Sequence, residues 1–205
     1  MSVREILLAT GNPGKAREMR EILGADLPAA RGVIVWRSLS EFPAWPAPVE
    51  TGETFMANAE LKATYYARLS GLWTIADDSG LEVDALGGAP GVYSARYAGE
   101  PANDAANNRL LVERLAGVPD ERRTARFRCA VALSDGSQIL ARAVGTVEGR
   151  IIDQPRGTNG FGYDPHFWVD RFGMTTAEMT PEQKHAISHR GQALRELRAA
   201  LERLL

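Results

Sequence analysis

At 205 residues the chain can build one large domain or two modest ones, with ample core either way. Its 44% hydrophobic and 24% charged residues are those of an ordinary globule, and a formal charge of -2 leaves no general basic surface for nucleic acid. A polyanionic ligand must therefore meet a local cluster of cations, which favours a small phosphorylated molecule. One cysteine, Cys129, forbids an internal disulfide, and no apolar run reaches the length of a signal core or a membrane span, so a cytoplasmic protein is the expectation.

The first element is a strand-like run, Ile6-Leu7-Leu8-Ala9, that empties into Thr10-Gly11-Asn12-Pro13-Gly14-Lys15, where a helix pattern starts. Gly11 and Gly14 let the backbone approach a ligand, Asn12 can cap a helix opened by Pro13, and the helix N-terminus offers unpaired N–H groups and a positive dipole end. Lys15 adds a mobile point charge. Met19, Ile22 and Leu23 recur at helical spacing, with Gly24 where a C-cap glycine belongs. The Walker A loop is excluded. Only Asn12 and Pro13 separate the two glycines, and Ala16 rather than Ser or Thr follows Lys15.

The stretch 31–48 carries no recognisable pattern beyond its proline-rich end, which reads as an extended loop before Glu50. A second helix is predicted over about 54–70, stopped by Gly71, with Asn58 and Lys62 sharing a face. Residues 72–76 read as a short buried strand ending in Asp77-Asp78-Ser79-Gly80, followed by a glycine-rich loop over 87–93 and a third helix over about 104–116. Ala125, Phe127, Cys129, Val131 and Leu133 then alternate with Arg126, Arg128 and Ala130 as a half-buried strand, on which Cys129 is a buried, inert thiol. Ser134-Asp135-Gly136-Ser137 is a hairpin turn, and 139–147 supplies the return strand. Thr180 to Gln183 forms a capping box, and Leu194, Leu197, Leu201 and Leu204 stripe a final helix. Early alternation and late hairpins predict an α/β chain with a mixed sheet, in two lobes with a cleft.

Three constellations could do chemistry. Asp77 and Asp78 repel unless they are solvated or share a cation, and Glu50 offers a third carboxylate. Mg2+ takes one or two carboxylates and completes its shell with water and phosphate. An exposed acidic turn is the competing reading. Gly160-Phe161-Gly162-Tyr163-Asp164-Pro165 holds the backbone open around two exposed aromatics suited to stacking on a planar ring, or is a tight turn anchored by them. Lys184 and Arg190 are too far apart for one straight helix to aim both at one ligand, so a turn near Ser188 must intervene. His189 and Arg190 are then paired donors that could read a keto oxygen, unless the run is a charged surface corner.

Five stretches in order, Ala9 to Lys15, Ile75-Ala76-Asp77-Asp78-Ser79-Gly80-Leu81, Leu86 to Tyr97, Gly160 to Pro165 and Ile187-Ser188-His189-Arg190-Gly191, resemble the inosine triphosphate pyrophosphatase family. Asn159 stands where that family more often shows glycine. The resemblance implies one domain over 1–205, an elongated mixed sheet with flanking helices, two lobes enclosing a cleft, and a homodimer that binds neither membrane nor nucleic acid. It implies Mg2+-dependent hydrolysis of non-standard purine triphosphates such as dITP and XTP, by attack of water on the α-phosphorus, to monophosphate and pyrophosphate. Thr10, Gly11, Asn12 and Lys15 would hold the triphosphate, with charge added by Lys62 and Lys184. Glu50 and Asp78 would coordinate Mg2+, with Asp78 the proton acceptor, Asp77 its support, and Ser79 touching the substrate. Phe161, Gly162, Tyr163 and Asp164 would frame the base, with His189 and Arg190 on its keto edge. A base-blind nucleotide pyrophosphatase, a phosphotransferase and a nucleotide sensor without catalysis are the rival readings, the last opposed by the intact acidic set.

Overall fold

The computed structural model describes residues 3–24 and 33–205. Its strands are β1 (Val3–Leu8), β2 (Val33–Ser38), β3 (Trp73–Val83), β4 (Thr124–Ser134), β5 (Ile139–Ile151), β6 (Phe167–Val169) and β7 (Met174–Thr175), in one sheet of order β2-β1-β3-β4-β5-β6-β7. The sheet is mixed, as predicted. β1 pairs in parallel with β2 and β3, whereas β5, β6 and β7 are antiparallel. The helices are α1 (Pro13–Gly24), α2 (Phe55–Ser70), α3 (Asp104–Arg114), α4 (Pro181–Ile187) and α5 (His189–Leu204).

The chain divides into two compact units. The first combines residues 1–78, 129–145 and 190–205. Ile6, Leu7 and Leu8 are all buried, which is the unbroken apolar run of a parallel strand covered on both faces. Its core joins Ile6 and Leu8 to Met19, Ile22 and Leu23 of α1, Ile75 of β3, Val131 and Leu133 of β4, and Leu194, Leu197 and Leu201 of α5. The stripe predicted on the last helix thus faces this core. Thr54 caps α2 by accepting from the Ala57 N–H, and Gly71 ends it at φ 69°. In the β4–β5 turn the Asp135 carboxylate accepts from the N–H groups of Ser137 and Gln138.

The second unit combines residues 79–128 and 146–189. Leu81 and Val83 of β3, Leu111 and Leu115 at the end of α3, Phe127 of β4, and Phe167 and Val169 of β6 fill its core. α4 opens on the predicted capping box, with Pro181 at its first position. Ser188 then turns the chain out at ψ 155° before α5, which is the predicted break.

Several boundaries differ from expectation. β3 does not stop at Ala76 but runs through Asp77, Asp78, Ser79 and Gly80, although these are turn-forming residue types. β5 reaches Ile151 rather than Val147, and α3 stops at Arg114 rather than Ala116. β2 occupies part of the stretch without a pattern, and Gly24 is the last residue of α1. β6 and β7, with three residues and two, are too short to carry a period.

The capping box makes a stability prediction. Thr180 Oγ1 accepts from the Gln183 N–H and Gln183 Oε1 accepts from the Thr180 N–H. Thr180→Ala should cost about 1 kcal/mol, read as a lower urea midpoint at unchanged m-value.

Candidate active site

The loop between β1 and α1 is open and built on its own side chains. Thr10 Oγ1 accepts from the Asn12 N–H and Asn12 Oδ1 accepts from the Lys15 N–H, so Asn12 caps α1 as predicted. A Cβ added at Gly11 would meet nothing within 4 Å, so a ligand has free approach to this backbone. Lys15 leans back from the helix and places its Nζ 3.2 Å from Asp77 Oδ2.

Asp77 is buried in the middle of β3, not on an acidic turn, and cations make that burial tolerable. Besides Lys15 it faces Arg190, whose Nη2 and Nε lie 3.1 Å and 3.4 Å from Oδ2. Arg190 is itself fully buried and also bonded to Glu18 of α1. Burial alone would raise the Asp77 carboxyl, but Lys15, Arg190 and Lys62 together hold it well below the usual carboxylate range. The Arg190 guanidinium is desolvated too, yet Asp77 and Glu18 keep it firmly charged. Beside them the Cys129 thiol is pushed up to about 12 by burial and by Asp77, so it is inert as expected.

Asp78 points to a different environment. Its Oδ1 lies 3.1 Å from Lys62 Nζ, its Oδ2 accepts from Asn58 Nδ2 at 3.1 Å, and Lys62 also donates to Glu50 Oε1 at 3.0 Å. Burial raises the Asp78 carboxyl, and Lys62 and Lys15 offset it only in part. Adjacent carboxylates are thus driven in opposite directions. Asp77 is held as an anion, while burial favours the protonated form of Asp78. Asn58 is a participant to which the sequence assigned no role. Its Oδ1 accepts from the Gly52 N–H at 2.8 Å while its Nδ2 holds Asp78, tying the segment that carries Glu50 to the strand. Its place on one helix face with Lys62 was the available signal.

The donor set fits a hard divalent cation. Glu50 and Asp78 already converge on one positive charge, the Lys62 ammonium. Among the described residues no group of three or more His, Cys, Asp or Glu forms an all-protein cage. Mg2+ needs no such cage, because it binds through one or two carboxylates plus substrate phosphates.

In the second unit the loop 160–164 is braced from within. Asp164 is buried and accepts from the Phe161 N–H at 2.8 Å, Thr176 Oγ1 at 2.8 Å and Lys184 Nζ at 2.5 Å. Gly160, at φ 77°, has no room for a side chain, since a Cβ there would lie 2.0 Å from Asp164 Oδ2. Lys184 is buried on Asp164, 4.9 Å from the Phe161 ring centre, rather than extended toward solvent. The two aromatics were expected to be exposed, and Tyr163 is not. It is buried, its hydroxyl donates to the Ser94 carbonyl at 2.7 Å, and burial raises its pKa, so it anchors the loop. Phe161, Gly162 and Ser79 are half-buried.

His189 and Arg190 do not form the expected side-by-side donor pair. Successive helical residues diverge by about 100°. His189 stacks on Phe127 at 5.0 Å in the second unit, while Arg190 lies in the first unit on Asp77 and Glu18.

The sequence profile of the Ham1 family matches residues 6–200. The dITP/XTP pyrophosphatase of Exiguobacterium sibiricum is 51% identical over 98% of both chains. That of Geobacillus kaustophilus is 52% identical over 95% of this chain and 93% of its own. A HAM1 protein from Coxiella burnetii superposes with TM-score 0.85 at 44% identity, covering 98% of this chain and 99% of that one. The Staphylococcus aureus Ham1 protein gives 0.83 at 40% identity, covering 98% and 100%.

The buried charges predict a steep penalty. Arg190→Ala leaves Asp77 and Glu18 without their guanidinium and should cost about 3–5 kcal/mol in urea unfolding at pH 7. Asp77 is depressed in the folded state, so its stabilisation is complete above its unfolded value near 3.9 and declines as the pH falls below it. The gap between wild type and Arg190→Ala should therefore shrink below about pH 4, read from urea midpoints across pH.

Proposed function

Because the chain belongs to the Ham1 family, we propose that it is a dITP/XTP pyrophosphatase that releases monophosphate and pyrophosphate. One observation carries this reading to the residues. Lys62 is shared by Glu50 and Asp78 while Lys15, in the first turn of α1, is held by Asp77. Two lysines and three carboxylates are thus arrayed so that a triphosphate with its counter-cation can replace internal ion pairs.

In this assignment Thr10, Gly11, Asn12, Lys15 and Lys62 bind the phosphates, and Glu50 and Asp78 hold Mg2+. When bound, Mg2+ neutralises phosphate charge and lowers the pKa of bound water. Asp78 takes the proton of the water that attacks the α-phosphorus. Asp77 stays ionised and aims Lys15. Phe161 offers its ring to the purine, with Asp164 and Lys184 fixing the loop behind it and Ser79 and His189 as further contacts. Arg190 moves from the base edge to a supporting place behind Asp77. Among the described residues no helix is long and apolar enough to cross a membrane. A cytoplasmic homodimer acting on a free nucleotide, without nucleic acid, completes the proposal on the family resemblance.

Turnover of dITP, XTP, dGTP and dATP tests the base preference. A rate independent of the base would favour a general nucleotide pyrophosphatase. In ¹⁸O-labelled water the label should enter the monophosphate, and label in the pyrophosphate would refute attack at the α-phosphorus. Asp78→Asn should fold and lose roughly 10²–10⁴-fold in turnover. Near-normal activity of that variant, or full activity in excess chelator, would overturn the roles given to Asp78 and Mg2+.

A further inference from the structure

The loop 160–164 is not held by its own residues alone. Asp104 opens α3 and Asn108 lies one turn further, so both project from one helix face toward the loop. Asp104 Oδ2 accepts from the Gly162 N–H at 2.8 Å, and Asn108 Nδ2 donates to the Gly162 carbonyl at 2.9 Å. These two groups belong to consecutive peptide planes, the one joining Phe161 to Gly162 and the one joining Gly162 to Tyr163. The preceding plane is fixed as well, because the Phe161 N–H donates to Asp164.

The helix that applies this grip is itself immobilised. Asn107 accepts from the Ala98 N–H at 2.8 Å and donates to the Ala95 carbonyl at 3.0 Å, and Leu111 is buried in the core. Gly162 sits at φ 62°, where an added Cβ would find nothing within 4 Å. In the first of these planes the Phe161 carbonyl also accepts from the Asp164 N–H at 3.3 Å, so α3 shares that plane with the loop itself, and the Asn108 hydrogen bond holds the second.

We infer that Asp104 and Asn108 are positioning residues for base selection. They fix the peptide planes flanking Gly162 and so the angle at which Phe161 presents its ring. The inference rests on the assignment of residues 161–164 to the purine. A frame that discriminates hypoxanthine from purines bearing an amino group, at C2 in guanine and at C6 in adenine, must be held to within a fraction of an ångström, whereas a loosened loop accommodates any of them poorly. Losing the grip should cost the preferred base and leave the rejected ones nearly where they were.

The experiment uses the full chain with Asp104→Ala, Asn108→Ala and Asp104→Asn, measured on dITP, dGTP and dATP at saturating Mg2+, with amide exchange followed at Gly162. Asp104 is exposed, so its replacement is compatible with folding. Either alanine variant should lose about tenfold in kcat/KM for dITP, mainly through KM, with dGTP and dATP shifted no more than about twofold, and exchange at Gly162 should quicken. Asp104→Asn keeps an acceptor oxygen and should stay near wild type in both readouts. Equal losses on all three substrates, or an unchanged preference despite faster exchange, would overturn the inference while leaving the pyrophosphatase assignment intact. A wild type without preference for dITP would refute that assignment and, with it, any role in selection.

Discussion

A carboxylate taken out of water needs a cation within reach, and β3 removes two in succession. Everything around that strand answers to this constraint. α1 contributes Lys15, α2 contributes Lys62 and Asn58, and α5 contributes Arg190, which in turn requires Glu18 to balance its second face. Isolated buried charges would be prohibitively desolvated, but a closed network of paired and hydrogen-bonded groups is tolerable. The network also explains why residues of turn-forming type continue a strand.

The same arrangement sorts the carboxylates by role. Asp77 is surrounded by three cations and locked in its anionic form, whereas Asp78 keeps one shared ammonium and an amide donor. Two identical side chains, adjacent in sequence and on opposite faces of one strand, therefore acquire different chemistry from their surroundings alone. One of the four chain boundaries between the units falls immediately after Asp78, so the acidic pair ends a stretch of the first unit and Ser79 begins a stretch of the second. Another of the four separates His189 from Arg190.

Much of this was legible in the residues. The loop at Asn12, the cap at Thr180, the glycine stop at position 71 and the break at Ser188 all rest on local backbone chemistry, and local chemistry can be read from a single segment. What failed depended on distant partners. Asp77 and Asp78 read as the end of a strand because the cations that keep them inside come from other elements. Arg190 read as a ligand group for the same reason, since Glu18 lies far from it in sequence. Tyr163 looked exposed because its acceptor is the carbonyl of Ser94, and Asp104 and Asn108 gave no hint of the loop they grip. β2 carried a local signal of its own, the β-branched and aromatic run Val33-Ile34-Val35-Trp36, and pairs in parallel with β1.

Both units are assembled from separated stretches of chain, and the first is closed by residues 190–205. During synthesis, Asp77 and Glu18 emerge from the ribosome long before Arg190, and β1 and β3 before the leucines of α5 that complete their core. The nascent chain must therefore carry an incomplete apolar surface and unbalanced acidic groups until α5 has emerged. Stalled or truncated translation products would be substrates for chaperones and proteases rather than partly working enzymes. The helix that carries Arg190 thus acts as a completion signal for the fold.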